Sequence, residues 1–458
     1  MTGTLSFHGA ARMVTGSCYH LQVGDEAIVI DCGTFQGGSD DEARNGAGFA
    51  FSPEGVNALI LTHGHLDHVG RAPLLVKRGF HGEILGHPAT LDIASILLDD
   101  SAKIANHSDG EPLYSDRDVE AAKSRMRPIR SYGEATRVGA FTIELFDAGH
   151  ILGSSSVRVS WGSGQAARAI LFSGDLGVAG APILKDPFTA WDPERHGVDM
   201  VVTESTYGDR SHPPRAEVRA KLREVIERAL SDRGKVLIPA FSIGRTQEVL
   251  YELNTMIEAG QLPGIPVIVD GPLGMSATRI YGKYRELYDV EAMEMLQRGD
   301  HPLEFDNLIG ASDAAASRRA VDVDGPAIII AGSGMCQGGR IRYHLERHLP
   351  DPRTDVLLVG YQAQRTLGRA LQEGRDTVYL RGQQVPVRAR ITTISGLSAH
   401  ADRDGLAAWF AALPRNHGAR VFVTHGEEAQ ARAYASRLDA QFGAVTDVPT
   451  LGQRVELR

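Results

Sequence analysis

Short apolar runs recur along the chain: AIVID (27–31), ALILT (58–62), FTIELF (141–146), AILFS (169–173), MVVTE (200–204), KVLIPA (235–240), PVIVD (266–270), AIIIAG (327–332), VLLVG (356–360) and VFVTH (421–425). Most are apolar without interruption, the pattern of strands covered on both faces. Between several of them the period becomes helical. Residues 215–232 place Val218, Leu222, Val225, Ile226 and Leu230 on one face, and 244–260 form a second such stretch closed by glycine. Strands alternating with helices predict an α/β protein. Turns at SHPPR (211–215), QLPGIP (261–266) and the loop GSGMCQGG (332–339) punctuate it, with no tandem repeat.

At 458 residues the length corresponds to about three domain equivalents, or two with one large. Apolar residues at 42% and charged ones at 23% exclude disorder, and no apolar run approaches the roughly 18 residues of a membrane span. The N-terminus MTGTLSFHGAARMVTGS has neither a basic nor an apolar leader region, so a soluble, cytoplasmic protein is expected. Cys18, Cys32 and Cys336 suit neither a disulfide framework nor a Cys-rich zinc site, and fit a reducing compartment. Net charge is −9, which advertises no polyanion partner. Met335–Ser395 nevertheless holds ten Arg and no Lys against five acids, a candidate nucleic-acid face; the chain-wide ratio of 41 Arg to 7 Lys is the plainer source of that excess.

Chemistry concentrates in THGHLDH (62–68), directly after ALIL. His63, His65, Asp67 and His68 put three imidazoles and a carboxylate in six residues, and buried groups of that kind need partners. They are the usual ligands of zinc and neighbouring metals. The same residue types recur where other strands end: Asp31, His150, Asp175, Glu204, His400 and His425. The carboxyl ends of strands are where α/β sheets place their sites.

These positions resemble the metallo-β-lactamase fold and, within it, the β-CASP nucleases, which include ribonuclease J and the mRNA 3′-end-processing endonuclease with its bacterial and archaeal homologues. Asp31, the His63–His68 cluster, His150 and Asp175 match the four superfamily motifs in order. Glu204, His400 in SAHAD and His425 in THGE match the three β-CASP additions. The last of these is histidine in RNA-processing members and typically valine in DNA-repair members. The resemblance implies an αββα sandwich with an inserted α/β cap: residues 1–205 as the first part of the lactamase domain, 206–385 as the β-CASP domain and 386–458 as the returning C-terminal part with its RNA-metabolising motif. The active site would lie in the cleft between lactamase domain and cap. Neither the KH module of archaeal homologues before Met1 nor a long extension like that of ribonuclease J is expected, so oligomerisation and substrate delivery are not expected to carry over from them.

The resemblance further implies a metal-dependent ribonuclease acting on single-stranded RNA, with two zinc ions per chain; manganese or iron would also suit such ligands. His63, His65 and His150 would bind one ion, Asp67, His68 and His425 the other, and Asp175 both. Asp67 is placed among the catalytic residues as well. His400, oriented by Glu204, would protonate the leaving 3′ oxygen, giving 5′-phosphate and 3′-hydroxyl ends. Asp31 would fix a ligand without touching metal. Two family elements would handle phosphate: Ser242 and Arg245 at a helix start, and Ser333, Gly334, Gly338 and Gly339 in the Gly-rich loop. Cys336 is read as packing. Tyr207 and Tyr361 are candidates for base stacking, and Arg365 and Arg369 for a shared helix face. The eleven histidines outside the motifs are read as surface or satisfied core residues, and a homodimer is expected from relatives. A DNA nuclease, a small-molecule hydrolase of the same fold and a non-catalytic RNA-binding scaffold are the alternatives. The filled ligand set disfavours the scaffold, and Glu204, His400 and His425 disfavour the small-molecule enzyme.

Overall fold

The computed structural model describes residues 3–106, 111–363 and 365–457, and all ten apolar runs are strands in it. The chain forms two compact units, Met1–Ser211 with His400–Arg458, and His212–Ala399.

The first unit contains two seven-stranded sheets. One has the order Arg454–Leu457, Gly3–Phe7, Tyr19–Val23, Glu26–Ile30, Val56–Ile60, Glu83–Gly86, Met126–Pro128. The other runs Val445–Asp447, Arg415–Val423, Val198–Thr203, Arg168–Phe172, Ser155–Trp161, Phe141–Asp147, Thr136–Val138. Ile28, Ile30 and Ile60 of one sheet and Ile170, Phe172 and Phe422 of the other share one core between the sheets. The alternate residues point outward: Val29, Leu59 and Leu61 pack with Leu75, Ala94 and Leu98 of the helices Ala72–Lys77 and Pro88–Asn106. On the other outer face, Leu171, Val201 and Val421 pack with Leu406 and Phe410 of Arg403–Ala412 and Tyr434 and Leu438 of Glu428–Phe442. The αββα layering expected from the sequence is thus present, and it explains the unbroken apolar runs. Strands with a core on each side have no polar positions to spare, and each fully buried aliphatic or aromatic side chain contributes about 1.5–3 kcal/mol.

The strand Ser155–Trp161 carries no unbroken apolar signal, because it buries a charge. Arg158 stands opposite Glu144 in the ladder and donates to its carboxylate at 2.7 Å, with both side chains buried.

In the second unit six parallel strands run in the order Leu308–Ala311, Val267–Asp270, Ala327–Ala331, Lys235–Pro239, Asp355–Leu358, Arg390–Thr393. Arg390–Thr393 hydrogen-bonds alongside Asp355–Leu358, which carries residues 386–399 with this unit. The compact units divide at 211 and 400. Among the described residues no helix is long and apolar enough to cross a membrane.

Strand direction assembles the site. Phe141–Asp147 and Arg168–Phe172 are each antiparallel to Ser155–Trp161, so they run the same way as Val198–Thr203 and Arg415–Val423. Their carboxyl ends lead into His150, Asp175, Glu204 and His425. In the facing sheet the parallel strands Glu26–Ile30 and Val56–Ile60 lead into Asp31 and His63.

Candidate metal centre

Two sets of donor atoms converge in the first unit. In one, His63 Nε2 and His150 Nε2 stand 3.1 and 3.3 Å from His65 Nδ1, and 3.4 and 3.7 Å from Asp175 Oδ2. In the other, His68 Nε2 and His425 Nε2 are 3.1 Å apart. They lie 3.4 and 3.5 Å from Asp175 Oδ1, and 4.0 and 3.6 Å from Asp67 Oδ2. Ligand atoms about 2.1 Å from a tetrahedral ion stand about 3.4 Å apart, so both sets have the span of a four-coordinate cage. Asp175 faces one set with each oxygen, and its buried Oδ1 has no hydrogen-bond donor. Donor atoms gathered within 4.8 Å of one another in each set, on side chains that are buried except for the half-buried His65 and Asp67, fit divalent cations. They do not fit a hydrogen-bonded polar core.

Residues behind the donors fix their orientation. Asp31 accepts from His68 Nδ1 at 2.7 Å and from the amide and hydroxyl of Thr62 at 2.8 Å; the Thr62 hydroxyl is also 3.1 Å from His63 Nδ1. Thr206 Oγ1 holds His425 Nδ1 at 3.1 Å. The non-coordinating nitrogens of metal-bound histidines ordinarily take such partners, which set tautomer and ring orientation. Thr62 and Thr206 were not singled out by the sequence reading, although each adjoins a motif, in THGHLDH and ESTYG. Asp31 and His425 both adopt positive φ, 58° and 47°, a strained conformation that clusters at functional sites.

Backbone contact holds the loop bearing Asp67 and His68. Ser17, Cys32 and Thr34 pair with the carbonyls and amides around it: Ser17 N to Asp67 O at 2.8 Å, Cys32 N to His68 O at 2.7 Å and Thr34 N to Leu66 O at 2.8 Å. Gly33 lies so close that a Cβ there would stand 1.6 Å from the Asp67 carbonyl oxygen. Only glycine permits that approach.

His400 opens the returning segment of the first unit, which is tied down at Ala401, whose amide donates to Leu176 O at 2.7 Å. Its Nδ1 is 3.2 Å from Glu204 Oε2 and 3.9 Å from Asp175 Oδ2. Glu204 is itself fixed by the amide of Leu176 at 2.5 Å. Burial alone would lower the His400 pKa, but the carboxylates of Glu204 and Asp175 outweigh it and hold the imidazole at about 9. Burial would likewise raise the Asp175 carboxyl, whereas the His425, His68 and His63 rings around it hold it well below the usual carboxylate range.

The proposed phosphate loops sit at the carboxyl ends of two neighbouring strands in the second unit. Their helices leave in opposite directions across the sheet, which makes this a topological switch point. A Cβ on Gly334 would meet Phe241 N at 3.1 Å and one on Gly332 would meet Ser242 Oγ at 3.5 Å, so the loops touch. Ser333 is turned onto its own loop, accepting from Gly338 N at 3.1 Å, and Gly339 packs against Gly332. Arg245 opens the helix Arg245–Glu258 but is buried and pairs with Glu248 at 2.5 Å. Cys336 is fully buried, and burial pushes its thiol up to about 12, as befits a packing residue. Tyr207 is buried beneath Arg210. Arg365 and Arg369 share no helix: Arg365 has φ 63° and precedes the N-cap Thr366, whose side chain accepts from Arg369 N. Of the remaining histidines, His20 stacks on Phe51, His87 on Tyr132, and His344 bonds Asp270 at 2.7 Å; His107 lies outside the described residues.

Three family models cover the chain: the metallo-beta-lactamase superfamily over residues 12–240, the Beta-Casp domain over 246–371 and the Zn-dependent metallo-hydrolase RNA specificity domain over 384–449. The chain belongs to the β-CASP branch of the metallo-β-lactamase superfamily. It is 39% identical over 420 residues to Ribonuclease TTHA0252 of Thermus thermophilus, covering 92% of each chain. It is 31% identical over 457 residues to Transcription termination factor FttA of Methanocaldococcus jannaschii, covering 97% of this chain and 70% of that protein. A crystal structure of a protein of unknown function from Enterococcus faecalis matches the whole chain at a TM-score of 0.57 and 12% identity, a likeness of fold. The family implies divalent-metal binding, and the converging His and Asp donors are groups that could hold such an ion.

Proposed function

We propose that this β-CASP protein is a metal-dependent ribonuclease that hydrolyses phosphodiester bonds of single-stranded RNA, leaving 5′-phosphate and 3′-hydroxyl ends. The observation that carries the reading is Asp175, one oxygen toward each donor set, with the His400–Glu204 pair beside it. The RNA specificity domain model and the ribonuclease relative support RNA over DNA. His63, His65 and His150 would hold one ion, Asp67, His68 and His425 a second, and Asp175 both; zinc suits these ligands best. Two divalent cations so held supply Lewis-acid chemistry, making water more acidic and offsetting charge on a phosphoryl group.

The chain's own residues do the rest. Asp31 and Thr62 keep the His68 and His63 rings turned toward the centre, and Thr206 does so for His425. Glu204 keeps a proton on His400 Nδ1, so the ring carries positive charge near neutrality and can deliver a proton from Nε2 to the departing 3′ oxygen. The amides of the 240–244 and 332–339 loops, with Ser242 and Ser333, are proposed to hold a backbone phosphate; with Arg245 neutralised by Glu248, its guanidinium contributes little there. Cytoplasmic location and a homodimer belong to the same proposal.

The test is cleavage of 5′-labelled single-stranded RNA and matched DNA by the purified chain, alongside the Asp67→Ala and His400→Ala variants, with metal content measured on the same samples. RNA cleavage lost in both variants supports the reading. A metal-loaded chain that leaves RNA intact refutes it.

A further inference from the structure

We propose that the hairpin of Thr377–Leu380 and Gln383–Pro386, with the adjoining helix Ile341–His348, forms a stacking platform for the bases of single-stranded RNA. The inference rests on the ribonuclease reading above and concerns a surface of the second unit outside both loops assigned to phosphate. Along the hairpin the side chains alternate. Val378, Leu380 and Val385 are buried against Ile341, Leu345 and Leu349 in one core. Tyr379 between them is 75% exposed. The turn is two residues long, with φ of 50° at Arg381 and 81° at Gly382, the paired positive values that tight hairpins favour. It carries the Arg381 guanidinium to 4.4 Å from the centre of the Tyr343 ring, itself 48% exposed. One open tyrosine ring thus lies under the Arg381 guanidinium and a second, Tyr379, stands two residues before it on the same hairpin; Arg381 also meets Glu346 at 3.2 Å on the surface, a pair of small energetic weight.

The chemistry selects the partner. Residues 377–390 hold Arg381, Arg388 and Arg390 and no acid; Arg390 is taken up by Asp232 and Asp355, leaving the first two on the exposed side. Rings and guanidinium planes set in a positive surface hold unpaired bases irrespective of sequence, because every base has a π face, while the arginines meet phosphate. Hairpin and helix are held together by their shared core, so the backbone that carries the rings is in place before binding.

The experiment uses the full chain carrying Asp67→Ala, to suppress cleavage, and a fluorescein-labelled single-stranded RNA read by anisotropy. Tyr379→Ala and Tyr343→Ala are each expected to weaken binding about fivefold or more, the effect typical of losing one base stack. Tyr379→Phe, which keeps the ring, should bind like its parent, and RNA bearing 4-thiouridine should cross-link to peptides containing Tyr343 or Tyr379. If the parent binds RNA and the alanine variants bind it equally, with cross-links elsewhere, the platform is refuted and the ribonuclease reading stands. A parent that neither binds nor cuts RNA removes both. Alanine variants that change the oligomeric mass in light scattering without changing RNA affinity assign the surface to a protein partner, and that also overturns the inference.

Discussion

Asp175 is the residue on which both donor sets depend, since its two oxygens serve one each. Asp175→Ala is expected to lower bound metal from about two ions per chain to below one, measured by inductively coupled plasma spectrometry. Retention of one ion in full would show that the carboxylate is not shared. His400 lies beside the donors without completing either set, so His400→Ala should keep its metal and lose about 10²–10⁴-fold in kcat. In the proposed mechanism Glu204 acts through that histidine. Its charge raises the His400 pKa, and a proton donor fails as pH rises through its pKa, so Glu204→Gln should move the alkaline limb of the kcat profile to lower pH. An unmoved limb in a folded, metal-loaded variant would exclude this positioning role.

At the level of elements, the centre depends on how closely loops approach. Gly33 lies against the carbonyl of Asp67, and a methyl group placed 1.6 Å from that oxygen must displace the loop that carries Asp67 and His68. Gly33→Ala is therefore expected to fold with weakened metal retention, visible as faster loss of metal to a chelator. The Glu144–Arg158 pair tests the sandwich itself. Glu144→Ala leaves a buried guanidinium uncompensated, a loss of about 3–5 kcal/mol, and should lower the melting temperature by about 10 °C. The same pair explains why this strand was silent in the sequence: a ladder that buries a charge with its partner breaks the apolar run by which its neighbours were read.

Across the whole molecule, buried and half-buried neutral histidines tie stability to pH. Burial lowers the pKa of His8, His20, His87 and His348 from 6.5 to about 4. The unfolded chain then binds protons at those four positions that the folded chain refuses, so stability is complete above about 6.5 and declines as pH falls toward 4. Melting temperatures followed from pH 7.5 to 4.5 should drop progressively, and a flat profile over that range would contradict the assignment. His20→Phe should lessen the slope, because a phenyl ring can keep the stack on Phe51 without a site to protonate.

The strand-forming runs, the layered α/β class and the residue types at the strand ends were legible in the sequence, because local periodicity and side-chain chemistry are properties of neighbouring residues. Asp31, His63, His65, Asp67, His68, His150, Asp175 and His425 could be singled out one by one for that reason. Their convergence could not be derived from the residues alone. It depends on four strands of one sheet and two of the other pointing their carboxyl ends the same way, a consequence of ladder pairings between residues up to several hundred positions apart. The roles of Thr62 and Thr206, the neutralisation of Arg245 by Glu248 and the capping that separates Arg365 from Arg369 were likewise decided only in three dimensions. A hydroxyl or guanidinium finds its partner by the packing around it, and the linear pattern holds no record of that packing.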